Sequence, residues 1–119
     1  MLQGMDDGDL SLHYQPKLTG RSGEFSAVEA LCRWRHSERG FVAPDKFIPK
    51  AEETGHIKVL TEWVLRRALE DQAALLEQGV PLSFAVNISA TLIDDREFVR
   101  RTLPLIRLAR GPVTLEITE

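Results

Sequence analysis

Apolar and polar positions change period several times along the chain, and each change predicts an element. From Leu10 to Leu18 they alternate, with Leu10, Leu12 and Tyr14 on one face and Ser11, His13, Gln15 and Lys17 on the other, which is a strand pattern. The Gly/Ser-rich TGRSGE closes it. Phe25 to Trp34 predicts a second strand with faces Phe25, Ala27, Glu29, Leu31, Arg33 and Ser26, Val28, Ala30, Cys32, Trp34. The connection is short, so the two strands should pair as an antiparallel hairpin. HSERGFVAP reads as a loop, and PDKFIPKAEETG as a short helix with Pro44 near its start and Gly55 as its stop. Ile57 to Gln78 carries the clearest helical period, through Ile57, Leu60, Val64, Leu65, Ala68, Leu75 and Leu76, with Gly79 suited to the C-terminal cap. PLSFAVNIS is a third strand, Asp95 to Arg110 a further helix that Pro104 kinks or starts, and PVTLEITE a fourth strand.

A hairpin followed by helix, strand, helix, strand predicts βα units and a parallel sheet, hence an α/β fold. In a parallel barrel one strand face meets the outer helices. The other faces the interior, with functional groups at the C-terminal strand ends. The greasy faces Leu82, Phe84, Val86, Ile88 and Val113, Leu115, Ile117 should therefore meet helices, and the opposite faces should carry Asn87 and Glu116 inward. Glu29 shares its face with Leu31 and Arg33 in an apolar run that reads as buried, where an uncompensated carboxylate is costly. Two carboxylates and an amide are hard oxygen donors, suited to Mg²⁺ or Mn²⁺ rather than zinc. Each has a structural alternative: Glu29 could pair with Arg33, Asn87 could cap a turn, and Glu116 and Glu119 could be edge-strand charges.

The chain has 119 residues and a formal net charge of −3, which points to one domain and away from a nucleic-acid polymer as partner. A single cysteine, Cys32, allows no disulfide within the chain and fits a reducing, cytoplasmic setting. No apolar run approaches the roughly 18 residues of a membrane span, and the polar N-terminus does not read as a signal peptide. His13, His36 and His56 lack metal-ligand spacing.

An ordered series of motifs runs from Leu10 onward: YQPK (Tyr14–Lys17), VEALCRW with Glu29-Ala30-Leu31, RWRH (Arg33–His36), FIPKAEETG (Phe47–Gly55), VNIS (Val86–Ser89) and LEITE (Leu115–Glu119). In this series the chain resembles the EAL domain family of bacterial cyclic di-GMP phosphodiesterases. The resemblance implies a modified TIM barrel whose first strand runs antiparallel. It also implies Mg²⁺- or Mn²⁺-dependent hydrolysis of one phosphodiester bond of cyclic di-GMP to linear pGpG. It makes Glu29 the catalytic metal ligand with Asn87 and Glu116, leaves Glu119 as second choice, and makes Gln15, Leu31 and Arg33 contacts to the dinucleotide.

The family pattern continues with an Asp-Asp-Phe-Gly motif, a lysine and further glutamates that this sequence does not contain; DDREF (Asp94–Phe98) reads instead as a helix start, where acidic residues suit the dipole. Residues 1–119 are thus expected to form the N-terminal portion of an EAL domain, a partial TIM-like barrel of about four strands, with little or no activity alone. An unpaired strand edge invites a homodimer or other self-association. Three functional classes follow: part of a cyclic di-GMP phosphodiesterase, a catalytically silent sensor of that dinucleotide, or an oligomerisation or regulatory module.

Overall fold

The structure, a computed structural model, describes residues 10–18, 25–36, 40–42 and 44–118. Strands β1 (Leu10–Leu18) and β2 (Phe25–His36) form the expected antiparallel hairpin, with Gln15 opposite Glu29 and Lys17 opposite Ala27. A short β3 (Gly40–Val42) pairs back on the end of β2, Trp34 facing Val42. This corrects the loop expected over HSERGFVAP at His36 and Gly40–Val42; residues 37–39 and 43 lie outside the described residues. The residues of β3 are too few to show a period of two, and β2 runs two residues past Trp34 to meet them. Helices α1 (Pro44–Thr54) and α2 (Ile57–Glu77) follow. The glycines at their ends, Gly55 and Gly79, have φ of +79° and +82°, the left-handed region that glycine enters without a Cβ clash.

Strand β4 (Ser83–Ser89), a 3-10 turn (Ala90–Leu92), α3 (Arg96–Arg107) and β5 (Val113–Thr118) complete the described chain. The strands lie in the order β1-β2-β4-β5 with β3 on the free end of β2, and β2, β4 and β5 are mutually parallel. The α/β expectation of a partial barrel with an antiparallel first strand holds. DDREF starts α3 as expected, and Asp95 caps it, its carboxylate accepting from the Phe98 N–H at 3.0 Å. Pro104 lies inside α3 and does not start it, and the helix stops at Arg107 rather than Arg110.

The three described α-helices serve one side of the sheet. Val28 and Ala30 of β2 and Phe84, Val86 and Ile88 of β4 bury against Leu60, Val64, Leu65 and Ala68 of α2, with Leu92 and Phe98 closing the end. Tyr14 stacks on Phe84 with ring centroids 5.1 Å apart and donates its hydroxyl to Asp71 of α2; burial, then that carboxylate, pushes the phenol pKa up. Cys32 is a packed free thiol pushed up to about 12 by burial. The greasy face was expected to meet helices throughout. It does so on β4 but not on β5, where Leu115 and Ile117 are 38% and 52% exposed because no described helix covers them.

Two polar fasteners hold this layer. Gln72, 2% exposed, donates its amide to the carbonyls of Leu82 (3.0 Å) and Pro112 (3.1 Å), tying together the segments that enter β4 and β5. A Cβ on Gly111 would lie 2.7 Å from that amide nitrogen, so the close approach excludes a side chain there. Arg101 of α3 grips Glu62 of α2 through two hydrogen bonds of 3.1 Å, and Arg66 adds a third of 3.1 Å. The Arg101 guanidinium is the main reason the Glu62 carboxyl lies below its usual range.

Gln72→Leu should cost about 1–3 kcal/mol, because the Leu82 carbonyl loses its buried donor; urea unfolding checks it, and an unchanged midpoint refutes the brace. Glu62 titrates below an ordinary glutamate, so its clamp contributes stability that is present above that ordinary range and lost as pH falls through the lowered value. Arg101→Met should lower the melting temperature at pH 7, and the difference from wild type should shrink as pH falls through the lowered Glu62 value. Thermal melts across pH decide this; a pH-independent difference contradicts it.

Candidate functional site

The concave face of the sheet, opposite the helices, is set by the alternation of the strands. Gln15 sits across from Glu29, Glu29 across from Ala85, and Asn87 across from Glu116. Cross-strand neighbours share a face, so Gln15, Glu29, Asn87 and Glu116 look into one trough. The Asn87 amide nitrogen donates to a Glu29 carboxylate oxygen at 3.4 Å, a link between β2 and β4. That orientation turns the amide oxygen, the atom able to ligate a cation, away from the negative Glu29 oxygen.

Glu29 is half-buried rather than enclosed. The deeply buried carboxylate expected from its apolar flanks is therefore corrected, because the open trough leaves one side of β2 in contact with solvent. Among the described residues Glu29 and Arg33 form no ion pair, and the bond from Asn87 is its one side-chain hydrogen bond. Arg33 and Gln15 are exposed on the same face, and Leu31 is half-buried. Glu116 is half-buried and bonded to Lys17 Nζ at 3.0 Å. Glu119, the second-choice ligand, lies outside the described residues.

Pairing between β2 and β4 ends at Ala30 and Val86, although both strands continue. The gap is a cleft of about 450 Å³ at the C-terminal strand ends, with Leu31, Pro49, Ile57 and Leu60 on its apolar walls and Glu52, Asn87 and Ser89 on its polar side. Ser89 donates to Glu52 of α1 at 2.6 Å and its hydroxyl contacts that of Thr91 at 2.8 Å, so α1 fixes the end of β4 two residues beyond Asn87.

Sequence reasoning missed two participants. Lys17 was visible as the next inward position after Gln15, but alternation alone does not say how far a lysine reaches. Glu52 carries no periodic signal that would place it beside Ser89. Among the described residues no three His, Cys, Asp or Glu side chains gather as a metal cluster. The set in the trough is two carboxylates and one amide, whose hard oxygens fit a divalent cation such as Mg²⁺ or Mn²⁺.

Comparison with known proteins gives the same picture. The profile of the EAL domain matches residues 1–119. The cyclic di-GMP phosphodiesterase PA2567 of Pseudomonas aeruginosa is 38% identical over 98% of this chain and 20% of its own length. The cyclic di-GMP phosphodiesterase NbdA of the same organism is 43% identical over 98% of this chain and 16% of its own length. The chain thus spans a fifth or less of these curated relatives. Among solved structures, the PaMucR phosphodiesterase in complex with c-di-GMP superposes with a TM-score of 0.88 at 34% identity, covering 99% of this chain and 49% of that one. With its motifs, its hairpin-led parallel sheet and its matched profile in agreement, the chain belongs to the EAL domain family.

Proposed function

We propose that these residues form the N-terminal portion of an EAL domain and supply part of a metal-dependent site that hydrolyses cyclic di-GMP to linear pGpG. The observation that carries this reading is the shared trough in which Glu29, Asn87 and Glu116 present oxygen donors from three parallel strands. In this reading those three hold Mg²⁺ or Mn²⁺, which when bound lowers the pKa of a water and offsets phosphate charge. Arg33 offers two parallel N–H donors to a phosphate. Gln15, beside Glu29 on the neighbouring strand, orients the dinucleotide through its amide. Leu31, on the wall of the cleft, packs against it. Membership of a family whose relatives are named cyclic di-GMP phosphodiesterases supports the substrate. No helix among the described residues is long and apolar enough to cross a membrane, and the lone packed thiol suits the cytoplasm.

Three donors fill about half of the six-fold shell that Mg²⁺ prefers. This favours a second reading for the 119-residue chain taken alone, in which it binds cation and dinucleotide with little turnover. A self-associating chain is part of the same proposal. Strand β5 is a sheet edge whose Leu115 and Ile117 are open to solvent, and a second copy offers the same edge and the same apolar pair in return.

Calorimetry with Mn²⁺ should show Glu29→Gln and Asn87→Ala each weakening binding by about tenfold or more; variants that bind as wild type remove them from the site. Incubation with cyclic di-GMP and Mn²⁺ should yield only trace pGpG by chromatography, and brisk turnover overturns the binding-only reading of this chain. Sedimentation should show the average mass rising with concentration, and Ile117→Lys abolishing the rise. A wild-type chain that stays monomeric at millimolar concentration refutes association.

A further inference from the structure

Lys17 and Glu116 occupy the two outer strands of the β1-β2-β4-β5 path, yet their side chains meet at 3.0 Å. Three inter-strand steps of ~4.8 Å would separate β1 from β5 by about 14 Å in a flat sheet. Lys17 also starts from the opposite end of the trough, level with Ala27, which faces Ser83, whereas Glu116 faces Asn87. Contact therefore requires the sheet to curl, and it brings the ammonium to one of the proposed ligands, Glu116. The pair is about one-third exposed, with side chains at 36% and 37%, so its attraction is screened and can be exchanged for a better cation.

We propose that Lys17 is a built-in competitor for the divalent cation: its ammonium holds Glu116 in the metal-free chain, and repulsion between the two cations drives it off when that carboxylate ligates a metal. This rests on the reading of Glu116 as a ligand. The bridge uses Oε1 of Glu116, so a divalent cation on either oxygen of that carboxylate would bring a second positive charge within a few ångströms of the ammonium, and the two cations repel. The exchange makes Lys17 a positioning residue. It keeps Glu116 aimed into the trough before the metal arrives, and its release frees an ammonium in a site that takes a phosphodiester. Its consequence is a metal affinity set partly by an internal salt bridge, and so by ionic strength.

A carbodiimide, which condenses an amine and a carboxylate in contact, should join Lys17 to Glu116 in the metal-free chain, identified by peptide mass spectrometry. Mn²⁺ should suppress that cross-link over the concentration range in which calorimetry detects binding. Lys17→Met should tighten Mn²⁺ binding about fivefold at low salt, and less at high salt, as loss of an exposed ion pair and of a nearby positive charge requires. Lys17→Arg, which keeps the charge, should bind as wild type. Absence of the cross-link overturns the bridge. A cross-link that persists under saturating Mn²⁺, or a Lys17→Met chain that binds no more tightly than wild type, overturns the competition. A cross-link formed in a chain that binds no Mn²⁺, with or without Lys17, overturns the metal assignment itself and the competition with it.

Discussion

Strand register is the constraint on which the rest depends. Side chains alternate with a period of two, so a one-residue slip of β4 against β2 would send Asn87 into the helix layer and Phe84 into the trough. What pins the register is the greasy face. Val28 opposite Phe84 and Ala30 opposite Val86 are buried against α2, and moving them would cost several buried apolar side chains at once. The polar face is therefore held in place by the apolar one. Glu29 and Asn87 meet because their sequence neighbours are packed on the far side of the sheet.

The N-terminal strand ends are held by a different chemistry. The Gln72 amide bonds to the chain just before β4 and just before β5, at the end of the sheet remote from Asn87 and Glu116. A glutamine reaching carbonyls of two successive αβ connections fixes their spacing, and the glycine at 111 leaves room for it. Stability and chemistry are thus divided between the two ends, as is general for barrels of this kind. The end that carries Asn87 and Glu116 can stay open because the other end is tied.

Most of this architecture was legible in the sequence because it rests on period and punctuation. The hairpin, the βα order, the glycine stops and the helix start at DDREF all follow from local patterns. So does the inward placement of Gln15, Glu29, Asn87 and Glu116, since parity is a local property. Three things were not legible. The three residues of β3 are too short to display alternation. The exposure of Leu115 and Ile117 depends on what packs against β5, which a strand cannot announce. The Lys17–Glu116 and Glu52–Ser89 contacts join residues 99 and 37 positions apart, and sheet curvature and helix placement decide them. Glu29 was read as buried because its neighbours are apolar; they face the helices while it faces the trough.

The bond between Ser89 and Glu52 gives the tip of β4 a second anchor. Beyond Val86, β4 is no longer laced to β2; its tip stays paired with β5 as far as Ser89 opposite Thr118 and is tied to α1 by the Ser89–Glu52 bond. The Asn87 amide thus sits on a strand tip anchored twice, by β5 and by α1, and its place is set by those two neighbours rather than by β2.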